Sequence, residues 1–167
     1  MTTRFDVHIV RDSIARPDNT TGYAAGDVIS EETTNDHFIF TQCLREAGMT
    51  GTIDWVRLIS SANVATKLDA ELWLFKADIA EVADNSAFAP TDAEMLTLVA
   101  VIPLPSTEWY VGTVTGGAGG NAVVEANKIA KTFQSTSKNL YGQLVARNAY
   151  APIAEETFTC EIGLSFD

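Results

Sequence analysis

Phe158-Thr159-Cys160-Glu161-Ile162-Gly163-Leu164-Ser165-Phe166 alternates without a break, apolar at every even position and polar or glycine at every odd one. Successive side chains of a β-strand point to opposite faces, so this pattern predicts a strand with one face on a core and the other turned away from it. A helix would spread the same five apolar residues around its whole circumference.

The same period recurs towards the N-terminus. Residues 139–147 set Leu140, Gly142, Leu144 and Ala146 against Tyr141, Gln143, Val145 and Arg147. In residues 67–76, Leu68, Ala70, Leu72 and Leu74 alternate with Asp69, Glu71, Trp73 and Phe75. The far half of that run is apolar on both faces, which predicts a central strand covered on both sides. Residues 51–61 place Ile53, Trp55 and Ile59 on one face and Thr52, Val56 and Leu58 on the other. Residues 4–10 read as a first strand with Phe5, Val7 and Ile9 on one face and Arg4, Asp6 and His8 on the other. Residues 96–104 and 108–115 are further strands, the former ending at Pro103 and Pro105, which lack the ladder N–H.

Between these runs the chain is rich in turn formers. Residues 11–22, with Pro17, Asp18, Asn19 and paired threonines, read as an irregular loop or arm. Gly26-Asp27 reads as a bulge or tight turn before Val28 and Ile29. Residues 38–44 are dense in apolar residues and are assigned to a strand, with a helix as the alternative. Gly116-Gly117-Ala118-Gly119-Gly120 is a flexible turn, and residues 122–130 fit a helix, a strand or a loop. Thr91 followed three residues later by Glu94 is a capping box, in which each side chain satisfies a backbone N–H at a helix start, so one short helix is predicted there.

Eight or nine strands with one short helix predict an all-β fold, an antiparallel β-sandwich of jelly-roll type. The 167 residues suit one domain over 1–167, with 11–22 as its loop or arm. Cys43, Trp55 and Cys160 occur in immunoglobulin order but with the wrong spacing, and no internal repeat is visible. Apolar neighbours predict that Cys43 and Cys160 are buried free thiols in a reducing compartment.

The formal charge is −11, from 22 acidic and 11 scattered basic residues. A nucleic-acid binder needs a basic face to displace counterions, so no nucleic-acid partner is expected, nor an anionic membrane. No run approaches the roughly 20 apolar residues of a membrane-spanning helix, and the first residues carry no secretory pattern. Synthesis in a cytoplasm is expected.

The search for chemistry returns no catalytic residue, no cofactor and no metal site. His8 and His37 stand on separate segments without an H-x-H pair, and each is expected at the surface or rim. No G-x-S-x-G is present, and the glycine-rich turn lacks the G-K-[ST] of a phosphate loop. Asp78, Glu81, Asp84, Asp92 and Glu94 gather in one region, but their spacing does not match a calcium loop, and Glu94 is accounted for by helix capping. A structural calcium there stays open. Trp109-Tyr110 offers a ring on which a sugar could stack, against burial of Trp109 in the core.

Four segments together carry a resemblance: Gly22-Tyr23-Ala24-Ala25-Gly26-Asp27-Val28-Ile29; Gly51-Thr52-Ile53-Asp54-Trp55-Val56-Arg57-Leu58; Leu72-Trp73-Leu74-Phe75; and the stretch from Asp84 through Pro90 to Met95. Asn139-Leu140-Tyr141-Gly142-Gln143-Leu144-Val145-Ala146-Arg147 and Tyr150-Ala151-Pro152 continue it. In this order, over most of residues 22–152, the chain resembles small virion proteins of tailed bacteriophages, and among them capsid decoration, or cement, proteins. The resemblance implies a non-enzymatic jelly-roll subunit that forms a homotrimer, binds the major capsid protein and clamps neighbouring capsomers from the capsid outer surface. Its acidity suits the exterior, since packaged DNA would repel it. Two other classes fit the same residues: a carbohydrate-binding module of a phage fibre or baseplate, and a glycosidase-like enzyme using paired carboxylates.

Overall fold

A computed structural model describes residues 7–31, 36–111 and 120–166. The strands are β1 (His8–Ala15), β2 (Val28–Ile29), β3 (Phe38–Phe40), β4 (Thr50–Ser60), β5 (Ala70–Phe75), β6 (Leu98–Leu104), β7 (Tyr110–Val111), β8 (Ala122–Gln134), β9 (Leu140–Ala146) and β10 (Thr157–Phe166). One four-residue helix, α1 (Asp92–Met95), precedes β6.

Two sheets form, in the orders β1-β10-β4-β8-β7 and β2-β9-β5-β6, with β3 also on β9. All their pairings are antiparallel. β2 and β3 are two halves of one edge strand along β9, and β7 is a two-residue extension beside β8. The hydrogen-bonded partners β1–β10, β2/β3–β9, β4–β8 and β5–β6 are then those of one long hairpin with its tip between β5 and β6. Pairing of β10 with β4 and of β9 with β5 rolls that hairpin into two sheets, which is the jelly roll.

The core lies between the sheets. Phe158, Cys160, Ile162 and Leu164 of β10 face Phe38, Phe40, Leu72, Leu74, Leu140 and Leu144 in one cluster. Cys43 and Cys160 are free and buried, and burial pushes the Cys43 thiol up to about 12. On β9, Gly142 lies under Phe40, whose ring carbon would stand 2.8 Å from an added Cβ.

The strand assignments at 67–76, 139–147 and 158–166 hold; the readings of β1, β4 and His37 are corrected, and residues 122–130, left open between helix, strand and loop, are strand. Residues 11–15 belong to β1, not to a loop, and the face of that strand is inverted: Val10 and Ile14 are buried whereas Val7 and Ile9 are exposed. Asp12 causes this. It turns inward, where its carboxylate accepts the backbone N–H of Ile39 at 2.7 Å and ties the β1 edge to β3. In β4 a bulge between Ile53 and Trp55 shifts the phase by one residue. Ile53, Val56 and Leu58 therefore share the core, while Trp55, Arg57 and Ile59 turn outward. Residues 122–130 are strand, part of β8, whose alternation is broken by Lys128 and Ala130 in the left-handed region. His37 is buried rather than at the rim. The predicted 112–115 end of a strand and most of the 116–120 turn fall outside the described residues.

The outer faces of the two sheets differ. A strap spanning residues 76–97 crosses the outside of the β2-β9-β5-β6 sheet. Phe88 packs edge-on against Trp73 at 5.3 Å and Phe75 at 6.5 Å, and backbone bonds at Val28, Asn85 and Phe88 stitch the strap to residues 26–28. This covering explains why Phe75 is buried. The capping box forms as read, with Thr91 and Glu94 satisfying each other's backbone N–H. The Glu94 carboxylate also accepts the N–H of Ala80 at 2.7 Å, joining the two ends of the strap.

Two outcomes follow. Gly142→Ala overpacks the core and lowers stability by roughly 1–3 kcal/mol, read as a lower urea midpoint with unchanged slope. The N–H donors of Ala80 and Thr91 and the Thr91 hydroxyl hold the Glu94 carboxyl below its usual range. A depressed folded-state value means that the strap's stabilisation is present above the ordinary glutamate range and is lost as pH falls through the folded value. Hydrogen-exchange protection of the strap, corrected for the intrinsic rate, therefore falls as pH drops below the ordinary glutamate range, and falls less in Glu94→Gln.

Candidate interaction surface

The strap covers one sheet, and among the described residues no segment crosses the outer face of the β1-β10-β4-β8 sheet. Register puts four charges in a single row across it: Arg11 opposite Glu161, Glu161 opposite Arg57, and Arg57 opposite Glu125. Arg11 Nε lies 3.1 Å from Glu161 Oε1. Arg57 Nη1 lies 3.1 Å from Glu161 Oε2, and Arg57 Nε lies 2.5 Å from Glu125 Oε1. Each inner residue is thus shared between two neighbours, so the signs alternate from β1 to β8. Glu125 and then Glu161 raise the Arg57 guanidinium further, and it stays charged at any working pH. Such a row stiffens the sheet more than isolated surface pairs do, because each side chain is held from both sides.

Apolar groups flank the row. Trp55 lies flat on Gly163, where an added Cβ would meet its ring at 2.1 Å, and Arg57 stacks on that ring at 5.3 Å. On the other side, Ile59 pairs with Val123 and Val123 with Tyr110, which is 71% exposed. A shallow hollow of about 510 Å³ lies there, lined by Ile59, Tyr110, Val111 and Val123 with Arg57 and Glu125. Trp109, the residue singled out for sugar stacking, is tied down instead: its Nε1–H donates to the Leu68 carbonyl at 2.7 Å, and its ring packs against the core.

A buried polar network fastens the strap at one end of the sandwich. Arg16, 1% exposed, donates through Nε to the Tyr23 hydroxyl and through Nη1 to the Ile153 carbonyl at 3.1 Å. Tyr23 donates in turn to Asp84 Oδ1 at 2.6 Å, and the Ser30 N–H reaches the same oxygen at 3.1 Å. Asp84 Oδ2 stands 3.6 Å from Arg16 Nη2. Tyr150 and Ser60 donate to the fully buried Glu156. Burial raises both tyrosine hydroxyls far above their usual range, so they act only as neutral donors.

The acidic cluster read from the sequence is thereby dispersed into separate tasks. Asp84 latches the strap, Glu94 caps α1, and Asp78 lies 3.2 Å from His37 Nε2 without the alignment of a hydrogen bond. Among the described residues no three His, Cys, Asp or Glu side chains gather in a way that would hold a metal ion, and no helix is long and apolar enough to cross a membrane. A hollow of about 580 Å³ at the start of β1, beside His8, Leu44, Arg45, Lys138 and Phe166, is lined by no carboxylate among the described residues.

The chain matches no protein-family model, and no curated protein matches it. Among solved structures, it is similar to a chain of the capsid of Ralstonia phage GP4 at 14% identity, over 100% of this chain and 89% of that one, with a TM-score of 0.42. It is similar to the acidic stable capsid of Helicobacter pylori bacteriophage KHP30 at 10% identity, over 96% and 87%, with a TM-score of 0.34. The CBM22-1–GH10 modules of Clostridium thermocellum xylanase 10B, complexed with xylohexaose, give 7% identity over 93% and 26%, with a TM-score of 0.34. Likenesses this distant assign no role, which has to come from the chain's own surfaces.

Asp84→Ala leaves the Arg16 guanidinium buried without its carboxylate and costs roughly 3–5 kcal/mol. Chemical denaturation measures the loss, and hydrogen exchange places it first in the strap.

Proposed function

We propose that the chain is a non-enzymatic virion structural protein that binds the outside of a phage capsid and stabilises it by clamping neighbouring capsomers. The observation that carries this reading is the division of labour between the two faces. One sheet is covered by the strap, while the other is left uncovered by the described residues, braced by the Arg11–Glu161–Arg57–Glu125 row and bordered by exposed apolar groups. A stiff, uncovered β face on a jelly roll is suited to binding another protein surface and offers no convergent acid, base and nucleophile for catalysis.

The resemblance of residues 22–152 to decoration proteins points the same way and supplies the partner, the major capsid protein, and the homotrimer. The charge of −11 favours the exterior, because DNA packaged in the lumen would repel the subunit. It also speaks against nucleic acid or an anionic membrane as a partner. Several modest contacts per oligomer would add through avidity, so no single one has to be strong.

One observation favours a second reading, carbohydrate binding: Tyr110 is exposed beside the apolar hollow, as a sugar-stacking ring would be. Co-sedimentation of purified protein with phage heads lacking it separates the two. Saturable binding that makes the heads more resistant to heat is the expected result. Failure to bind heads, together with glycan binding that Tyr110→Ala abolishes, would replace the proposal with the carbohydrate module.

A further inference from the structure

The charged row has a symmetry that its role in bracing the sheet does not require. From β1 to β8 its signs run plus, minus, plus, minus, at Arg11, Glu161, Arg57 and Glu125. A two-fold axis lying in the contact plane along the strands, midway between Glu161 and Arg57, carries each position to its mirror across the row. Arg11 then meets Glu125 of the second copy, and Glu161 meets its Arg57, so every charge faces its opposite. An axis running across the strands would instead set like on like. The alternation therefore selects one arrangement, an isologous contact in which the same patch is used twice.

We infer that the outer face of the β1-β10-β4-β8 sheet binds the same face of a second copy of this chain about that axis.

Two further features support this occupant. The rows on either side of the ladder, Ile9-Gly163-Trp55-Asn127 and Ser13-Thr159-Ile59-Val123, carry no charge. The patch is therefore locally neutral in a chain of net charge −11, so two copies meet there without a net local repulsion. The axis also sets each uncharged row over its own counterpart, so that Ile9 of one copy faces Asn127 of the other and Ser13 faces Val123. Four strands roughly 4.8 Å apart and roughly 27 Å long make a face of about 500 Å² per copy. The two faces together bury about 1,000 Å², at the lower limit for a specific contact. The pairing is accordingly reversible in solution and gains weight where copies are held side by side. It uses the face that the proposed function gives to the capsid, so one copy makes one contact or the other, and a trimer built through other surfaces would double to six through this one.

Two charge-neutral exchanges test it. Arg57→Glu with Glu125→Arg gives the row plus, minus, minus, plus, while Arg11→Glu with Glu161→Arg gives minus, plus, plus, minus. Each repels itself under the proposed axis, and each is complementary to the other. Sedimentation equilibrium over a range of concentrations should show wild-type mass rising to an even number of copies. Either variant alone should associate roughly a hundredfold more weakly or worse, and an equal mixture of the two should regain the wild-type mass. Recovery in the mixture also shows that both variants are folded. Absence of a doubling in the wild type, variants that associate as well as it does, or a mixture that stays dissociated would each overturn the inference. Head co-sedimentation of the same variants is scored separately, so loss of self-pairing is not confused with loss of capsid binding.

Discussion

β10 is hydrogen-bonded along both edges, to β1 on one side and to β4 on the other, and contributes Phe158, Cys160, Ile162 and Leu164 to the core. Its two partners come from the first part of the chain, so the loops these pairings close are long and the entropy of closing them has to be met by burial. Four alternating apolar side chains at roughly 1.5–3 kcal/mol each supply a large part of that. The same strand sets the outer surface. Glu161 reaches Arg11 and Arg57 only because the register fixes it between them, and Gly163 leaves the space in which Trp55 lies flat. A one-residue slip of β10 would turn its apolar set outward and break the row at once.

The second sheet is completed differently. Its outer residues Trp73 and Phe75 are too apolar to leave in water, and Phe88 of the strap packs on both. That cover is held by polar anchors at its two ends, Asp84 under Arg16 and Tyr23, and Glu94 between Thr91 and Ala80. Two of the five carboxylates that gather there in the sequence, Asp84 and Glu94, are therefore fastenings of this strap. The molecule ends with one face closed and one open, and the open face is where a partner has room to bind.

Strands with regular alternation were legible from composition and period alone, as at Phe158 to Phe166, and so was the Thr91–Glu94 capping box. The misreadings have local causes. A bulge at Asp54 adds one residue to β4, which alternation cannot register, so Val56 and Leu58 were assigned to the wrong face. In β1 an inward aspartate replaces an apolar residue, and Val7 and Ile9 are left outside. In β8 the left-handed Lys128 and Ala130 break the period, which left residues 122–130 open between helix, strand and loop. The charged row was invisible for another reason: its members lie at positions 11, 57, 125 and 161, and only register brings them together. A faint signal existed, since Arg57, Glu125 and Glu161 each stand alone between two apolar residues, where an outward strand position falls.

The central claim is that the bare β1-β10-β4-β8 face serves to bind protein on the exterior of a capsid. A cryo-electron microscopy reconstruction of virions carrying this chain tests it directly. The account predicts jelly-roll density on the outer surface, with the strap turned to solvent and the open sheet face against a capsomer or a neighbouring copy. Density in the lumen, or an outer position with the open face fully exposed and the strap in the contact, would contradict it.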